Sequence, residues 1–554
     1  MRLQRLCALA FLLMFLGPCD MHAAAQVAPP PPAAQNFRIS GTVVDALTGQ
    51  NIARAVVFLM PQRMRNSEQS VTTVEDGRFA FENLAPGKYV LSAQRKGYLP
   101  QLYKQHWQFS TAIVVGPNLE TENLRFELKP RASISGQVVD ERNEPVRNAQ
   151  AILFQQITRF GRHTTWREAE VSTDDRGRYR FGFLLPGVYF IGVSAQPWYA
   201  QRVTHQQMQQ TDSSGHTTYQ DFTNGEPELD VVYPITFFSH VQDLAEAVPI
   251  TLRAGDSEEA DISLQPVPAL RIVVHSAASE YENVWAQVSQ TLSNGTKMGV
   301  QANSQQVSPG VLEIGGLPPG KLRVGLVNSK DGQSNTRWNN IEMSEDVSIN
   351  ASEMLPSPSV SGIARFEDGS RQPGSIRLRL SNQAENEEYA IQVSDKGEFR
   401  FEGAIPPGTY DLMVGQESAA AVRALSATGG KVSGHAVEVG SGQDVKLNVV
   451  LSMGTGHVGG VAKKDGKPQD GVMVVLVPEK PEQNLELFRR DQSDSDGSFN
   501  LNQVNPGKYT VVAIENAWDL EWSTPAVIQK YLRGGEAVKV EADAKVDVSV
   551  NVQQ

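Results

Sequence analysis

At 554 residues the chain is far longer than one small domain, and its 2 cysteines are too few for a disulfide framework. Its net charge of −12 favours solubility and disfavours nucleic acid and anionic membrane as partners. No apolar run beyond residue 25 approaches the ~20 residues a membrane-spanning helix needs, so the mature chain is expected to have no transmembrane segment.

Residues 1–25 have the layout of a secretory signal: Arg2 and Arg5, an apolar core from Leu9 to Leu16, and Ala23-Ala24-Ala25 as a cleavage site before Gln26. A competing lipoprotein signal would end at Cys19, but Pro18 directly before it fits poorly. Cys7 and Cys19 both belong to this segment, so the mature chain is expected to lack disulfides, thiol catalysis and thiolate metal sites. Export follows, to the periplasm, the cell surface or the medium. Residues 26–36, with Pro29-Pro30-Pro31-Pro32, read as a stiff polyproline-type linker.

From residue 37 one phrase recurs. It begins as Asp76-Gly77-Arg78-Phe79-Ala80-Phe81 and continues through Pro86-Gly87-Lys88-Tyr89. Copies stand at Gly177, Tyr179, Phe181, Pro186-Gly187 and Tyr189, at Gly397, Phe399, Phe401, Pro407-Gly408 and Tyr410, and at Gly497, Phe499, Leu501, Pro506-Gly507 and Tyr509. A degraded copy runs through Leu312, Ile314, Leu317, Pro319-Gly320 and Leu322. Asp-Gly predicts a hairpin turn, Phe-x-Phe a strand with both rings on one buried face, and Pro-Gly the central pair of a type II turn. A second phrase opens the units: Ile39-Ser40-Gly41-Thr42-Val43, Ile134-Ser135-Gly136-Gln137-Val138, Val360-Ser361-Gly362 and Val458-Gly459-Gly460. Alternating strands close them, such as Leu124 to Leu128 and Val546 to Val550. Repetition near every hundred residues predicts a string of β-sandwiches.

These phrases resemble the carboxypeptidase regulatory-like domain, a transthyretin-like, prealbumin-type sandwich close to starch-binding-like and Cna-B-type modules. Chains built of such repeats behind a secretion signal resemble secreted proteins of acidobacterial soil bacteria. The resemblance implies an all-β tandem array of about five sandwiches, with one short helix near the C-terminus. The units are expected at 37–130, 131–266, 267–356 (degenerate), 357–453 and 454–554, arranged as an extended string. The second carries an insertion at 197–230, read as a mobile loop, and the fifth a helical insertion at 518–534. The segment Tyr233 to Phe238 is expected to pack between units.

The search for chemistry is mostly negative. His435 and Glu438 match a zinc pair by spacing, but nothing supplies the further ligands. Asp494-Ser495-Asp496-Gly497 resembles part of a calcium loop but has Gln492 and Gln503 where acids belong, so a polar hairpin explains it better. Cna-B relatives sometimes carry a Lys–Asn isopeptide bond, for which Lys463 or Lys464 with Asn551 is the loose candidate here. Scattered histidines, among them His106 and His163, read as surface residues. No catalytic residue, metal site or cofactor is therefore expected. Aromatic rings flanked by carboxylates suit sugar faces and hydroxyls, which singles out Trp198 with Tyr199, and Trp518 and Trp522 with Asp519 and Glu521. The expected function is a non-enzymatic binding module for a glycan or envelope component. The alternative is an adhesion scaffold for protein partners.

Overall fold

The computed structural model describes residues 36–62, 67–159, 161–211, 214, 217–276, 284–330, 333–369, 376–382, 387–401, 405–415, 420–452, 456–482, 484 and 487–554. The signal and most of the proline-rich linker lie outside the described residues. The chain is all-β, built of successive two-sheet sandwiches, and the helix Pro525–Leu532 is the only α-helix among the described residues. In the first sandwich a three-stranded sheet, ordered Arg78–Leu84, Phe37–Asp45, Leu124–Leu128, shares one core with a five-stranded sheet centred on Val56–Pro61 and Gly87–Gln94. Opening and closing strands pair in parallel, Gly41 opposite Leu124 and Val43 opposite Phe126. The same parallel pairing joins Ser359–Phe366 to Asp444–Ser452 and Gly456–Lys464 to Lys545–Gln553.

The opening phrase owes its glycine to that pairing. A Cβ at Gly41, Gly136 or Gly362 would lie 2.2 Å from the carbonyl oxygen of Leu124, Ala260 or Leu447, and one at Gly460 would lie 1.9 Å from that of Val548. The parallel neighbour can approach only where the side chain is hydrogen.

The aromatic pairs of the longer phrase share a buried face as the alternation predicts. Phe79 and Phe81 sit 6.3 Å apart between ring centres, Tyr179 and Phe181 5.8 Å, and Phe399 and Phe401 5.9 Å, each pair inclined rather than stacked. The tyrosine that ends the phrase clamps its own turn. The hydroxyls of Tyr89, Tyr189, Tyr410 and Tyr509 donate to the carbonyls of Ala85, Leu185, Pro406 and Asn505 at 2.8–2.9 Å.

Two local expectations change. The Asp-Gly turn has its left-handed glycines, at φ +70° to +84° for Gly77, Gly177, Gly397 and Gly497. It does not close a hairpin, however: Gln69–Thr72 and Arg78–Leu84 belong to opposite sheets, so the turn is an arch across the core. Pro-Gly is likewise an arch and not a type II turn, with Gly87 at φ +155°. The left-handed residue lies four positions earlier, at Asn83 (φ 58°), Phe183 (63°), Gly316 (74°) and Gln503 (54°). Each of these falls where the register of the pairing shifts, as between Phe37–Leu84 and Ile39–Phe81.

The insertion at 197–230, expected as a loop, contains an antiparallel hairpin, Thr204–Thr211 with Thr217–Asn224. Alternation is hard to see in a strand this rich in glutamine, which is why composition read it as irregular. The segment at 233–238 does pack between units. Phe237, with Ile152 and Phe154, meets Leu292 and Met298 of the third sandwich in one buried cluster. Arg271 and Asp230 add a shielded ion pair at the same joint, 2.6 Å apart.

The string is not extended. The fifth sandwich folds back onto the first and second, joining Lys88 to Asp494 across 406 residues. This sandwich is also the most continuous. Its closing strand pairs with the opening strand and, through Val552 and Gln553, with Ala513 and Ile514, making one eight-stranded sheet.

Candidate functional site

The sequence-selected aromatics separate into an open pair and a covered pair. Trp198 is 81% exposed, and its ring meets Tyr199 edge-on at 5.8 Å. The Tyr199 hydroxyl donates to Glu141 Oε1 at 2.6 Å, and the Tyr233 hydroxyl donates to Glu141 Oε2 at 2.9 Å. Burial by itself pushes the Glu141 carboxyl up, but hydrogen bonds from Tyr199, its own backbone N–H and Tyr233, with Arg142 nearby, outweigh it and hold the carboxyl low. Burial first, and then the Glu141 charge, push the Tyr199 hydroxyl up to about 12. Both tyrosines thus stay protonated as donors, and the ring that Trp198 touches is anchored through its hydroxyl.

Trp518 and Trp522 are only 7% and 8% exposed, so neither offers a free face to a sugar. They form the joint between the fifth sandwich and the first two. Trp518 stacks on His106 with ring centres 4.5 Å apart and planes 3° from parallel, and it also meets Phe109. The Arg490 guanidinium lies 4.7 Å from the Phe109 ring centre, 5.7 Å from Trp518 and 5.1 Å from Trp522. Burial pulls Arg490 down to about 10, and π faces, not a carboxylate, surround its charge. Asp519 and Glu521 serve the same joint: His163 N–H donates to Glu521 Oε1 and His163 Nε2 reaches the Asp519 carbonyl, both at 2.9 Å. Gly161 permits this contact, since a Cβ there would sit 2.7 Å from the Trp522 ring.

A polar latch lies beside the aromatic joint. Lys88 Nζ meets Asp494 Oδ2 at 2.5 Å, Ala112 N–H donates to Asp494 Oδ1 at 2.9 Å, and Val114 N–H donates to Ser495 Oγ at 2.8 Å. Gln492, 1% exposed, donates to the Lys104 carbonyl and to Thr111 Oγ1, both at 2.8 Å, leaving its oxygen for His106 Nδ1 at 3.1 Å. The repeat explains why Asp494 is available. Each arch needs a side-chain acceptor for its own backbone, supplied by Asp76, Asp174 or Ser394 in the other copies. The fifth copy has two acids, and Asp496 caps the turn through the Ser498 N–H, which frees Asp494 for the first sandwich.

Sequence reasoning missed Lys88, His106, Phe109, Arg490 and Asp494. The second acid of Asp494-Ser495-Asp496-Gly497 was the available signal. His106, expected on the surface, is half-buried, and burial lowers its pKa despite the Gln492 hydrogen bond. Of the isopeptide candidates, Lys463 does pair with Asn551 across neighbouring strands, but Asn551 is exposed and Lys464 is bound to Glu515 at 2.6 Å. Among the described residues no three His, Cys, Asp or Glu side chains converge as metal ligands.

Asp491 gives the joint a pH signature. Burial, and then the Asp494 charge, push its carboxyl from 3.8 up to about 6, against hydrogen bonds from Asn500 and Gln492 and the pull of Lys88. Between about pH 4 and 6 the native state keeps a proton that the unfolded chain has lost, so stability from this group is present at low pH and declines as pH rises through 6. Asp491→Asn is expected to raise stability by up to about 3 kcal/mol at pH 7, with the gain shrinking toward pH 4. Thermal melts of both proteins across that range check it, and a gain independent of pH counts against the titration.

The fold defines a chain of transthyretin-like sandwiches. The carboxypeptidase regulatory-like domain family matches residues 38–129 and 133–265. These two matches cover the chain's first two sandwiches. The family described as BOS complex subunit NOMO1-like, second beta sandwich domain, matches residues 454–533. No curated protein matches the chain. Among solved structures, the Bacillus anthracis TIE protein is 10% identical, over 94% of this chain and 75% of that one, with a TM-score of 0.16. The minor pilin of Streptococcus agalactiae is 11% identical over 42% of this chain and 97% of its own, with a TM-score of 0.20. A streptococcal ancillary pilin is 11% identical over 57% and 99%, at 0.19. At such TM-scores these likenesses say nothing about this chain's function.

Proposed function

We propose that the chain is an exported, non-catalytic binding protein that presents carbohydrate-binding surfaces at the cell envelope or outside the cell. Its units are taken as 37–130, 131–266, 267–356, 357–453 and 454–554. The observation that carries this reading is Trp198, an indole 81% exposed beside Tyr199, whose ring is anchored through the Tyr199–Glu141–Tyr233 hydrogen bonds. A flat aromatic ring open to solvent suits the apolar face of a sugar. The match to a regulatory-like domain family supports a role without turnover. A glycan array tests this reading: the wild type is expected to bind, and Trp198→Ala to weaken binding about tenfold or more, in keeping with the loss of one stacking ring. Absence of any glycan signal at millimolar concentration overturns the carbohydrate reading.

A second reading, a scaffold for protein partners, is favoured by the docked fifth sandwich. Fixing that unit against the first two sets how these three sandwiches present their surfaces, without involving Trp198.

A further inference from the structure

The second and third sandwiches meet along a cleft of about 460 Å³ lined by Arg147, Gln150, Gln196, Tyr233, Gln290 and Gln301, among others. The buried cluster of Phe154, Phe237 and Met298 fixes its walls, as does the hydrogen bond from Asn294 Nδ2 to the Thr165 carbonyl at 2.9 Å. The cleft is therefore pre-formed. Three features of its lining point to one kind of occupant.

First, amides dominate. Gln196 and Gln301 reach across the opening, one from each sandwich, and join at 2.9 Å. Such a pair exchanges readily for sugar hydroxyls, since each amide both donates and accepts. Second, the lining is cationic in a chain whose net charge is −12. Arg167 spends its charge on Glu170, while Arg147 has no ion-pair or hydrogen-bond partner among the described residues. Outside the lining, Arg202 donates to Gln196 Oε1 at 3.3 Å. A guanidinium left open beside amides suits a carboxylate, which it can hold through two parallel N–H donors. Third, Gly299 and Gly316 leave backbone bare on one wall, where an added Cβ would meet nothing nearer than 3.9 Å.

We propose that this cleft binds an oligosaccharide bearing carboxylate groups, with Arg147 taking a carboxylate and the Gln196–Gln301 pair opening to take hydroxyls. The assignment rests on the carbohydrate reading above but adds a site apart from Trp198 and a charge class for the ligand.

Calorimetric titration of the full chain tests it with three probes: tetragalacturonate, neutral cellotetraose and inorganic polyphosphate. Tetragalacturonate is expected to bind best and to weaken with added salt. Arg147→Gln is expected to reduce its affinity about tenfold, the scale of one charge-assisted hydrogen bond, and to leave cellotetraose binding unchanged. Gln301→Ala, on the opposite wall, should also weaken tetragalacturonate, which guards against a variant that acts only by misfolding. If cellotetraose binds as well as tetragalacturonate and Arg147→Gln changes neither, the cleft assignment falls while the carbohydrate reading stands. Polyphosphate binding as tight as tetragalacturonate overturns the sugar class. No binding of either sugar overturns the cleft assignment and leaves the carbohydrate reading to the glycan array.

Discussion

Trp518→Ala is expected to release the fifth sandwich from the first. The substitution removes a ring that stacks on His106, touches Phe109 and helps enclose the Arg490 guanidinium. Removing a buried tryptophan costs on the order of 3–5 kcal/mol, and here part of that loss falls on the joint between sandwiches. Arg490 would then sit half-uncovered with two aromatic neighbours in place of three. Small-angle scattering should show a larger radius of gyration. Hydrogen exchange should rise at residues 104–112 and 488–494 while the other cores stay protected. Trp198→Ala is the matched control, because that ring is 81% exposed and its loss should change stability by no more than about 0.5 kcal/mol. Unchanged scattering and exchange in Trp518→Ala would show that the joint is held elsewhere, with the Lys88–Asp494 latch the next place to look.

Gly136→Ala is expected to melt the second sandwich selectively. The new methyl would lie 2.2 Å from the Ala260 carbonyl oxygen and 2.9 Å from the Tyr179 hydroxyl, between two atoms that are themselves hydrogen-bonded at 2.5 Å. Neither can move far, since Ala260 is held between Ser257–Glu259 and Ile262–Ser263, both paired in parallel with the opening strand, and the ring lies in the core. Overpacking of this kind costs roughly 3 kcal/mol, and losing the tyrosine hydrogen bond adds about 1 kcal/mol. Calorimetry should show one transition moving down by many degrees while the rest hold. Gly299→Ala, which places its methyl in open space, should leave the trace unchanged. Equal melting profiles for the two variants would mean that the repeated glycine is not a packing requirement.

The sequence carried the repeat because the repeat is made of local terms. Alternation placed Phe79 with Phe81 and Tyr179 with Phe181 on buried faces, and the Asp-Gly glycines took the left-handed conformation their turns require. What alternation cannot report is which strand lies alongside. A turn between two strands looks the same whether it joins partners in one sheet or crosses the core, and so the arches at Gly77 and Pro86-Gly87 resembled a hairpin and a type II turn. The candidate site was less legible for a related reason. Trp198 and Trp518 look alike in sequence, each an aromatic in an insertion with polar neighbours. Only the return of the fifth sandwich onto residues near 106 and 161 covers one and leaves the other open. Contacts that span hundreds of positions leave little local trace, and the surplus acid at Asp494 was the trace available.

Docking the last sandwich on the first also decides how the chain carries tension. A pull applied between residues 37 and 554 does not run through the three middle units while Lys88 holds Asp494 and Trp518 covers His106. The load falls first on that single seam, which ruptures before any sandwich unravels. Its rupture pays out the length of the middle units as slack, so the folded cores are spared the initial strain.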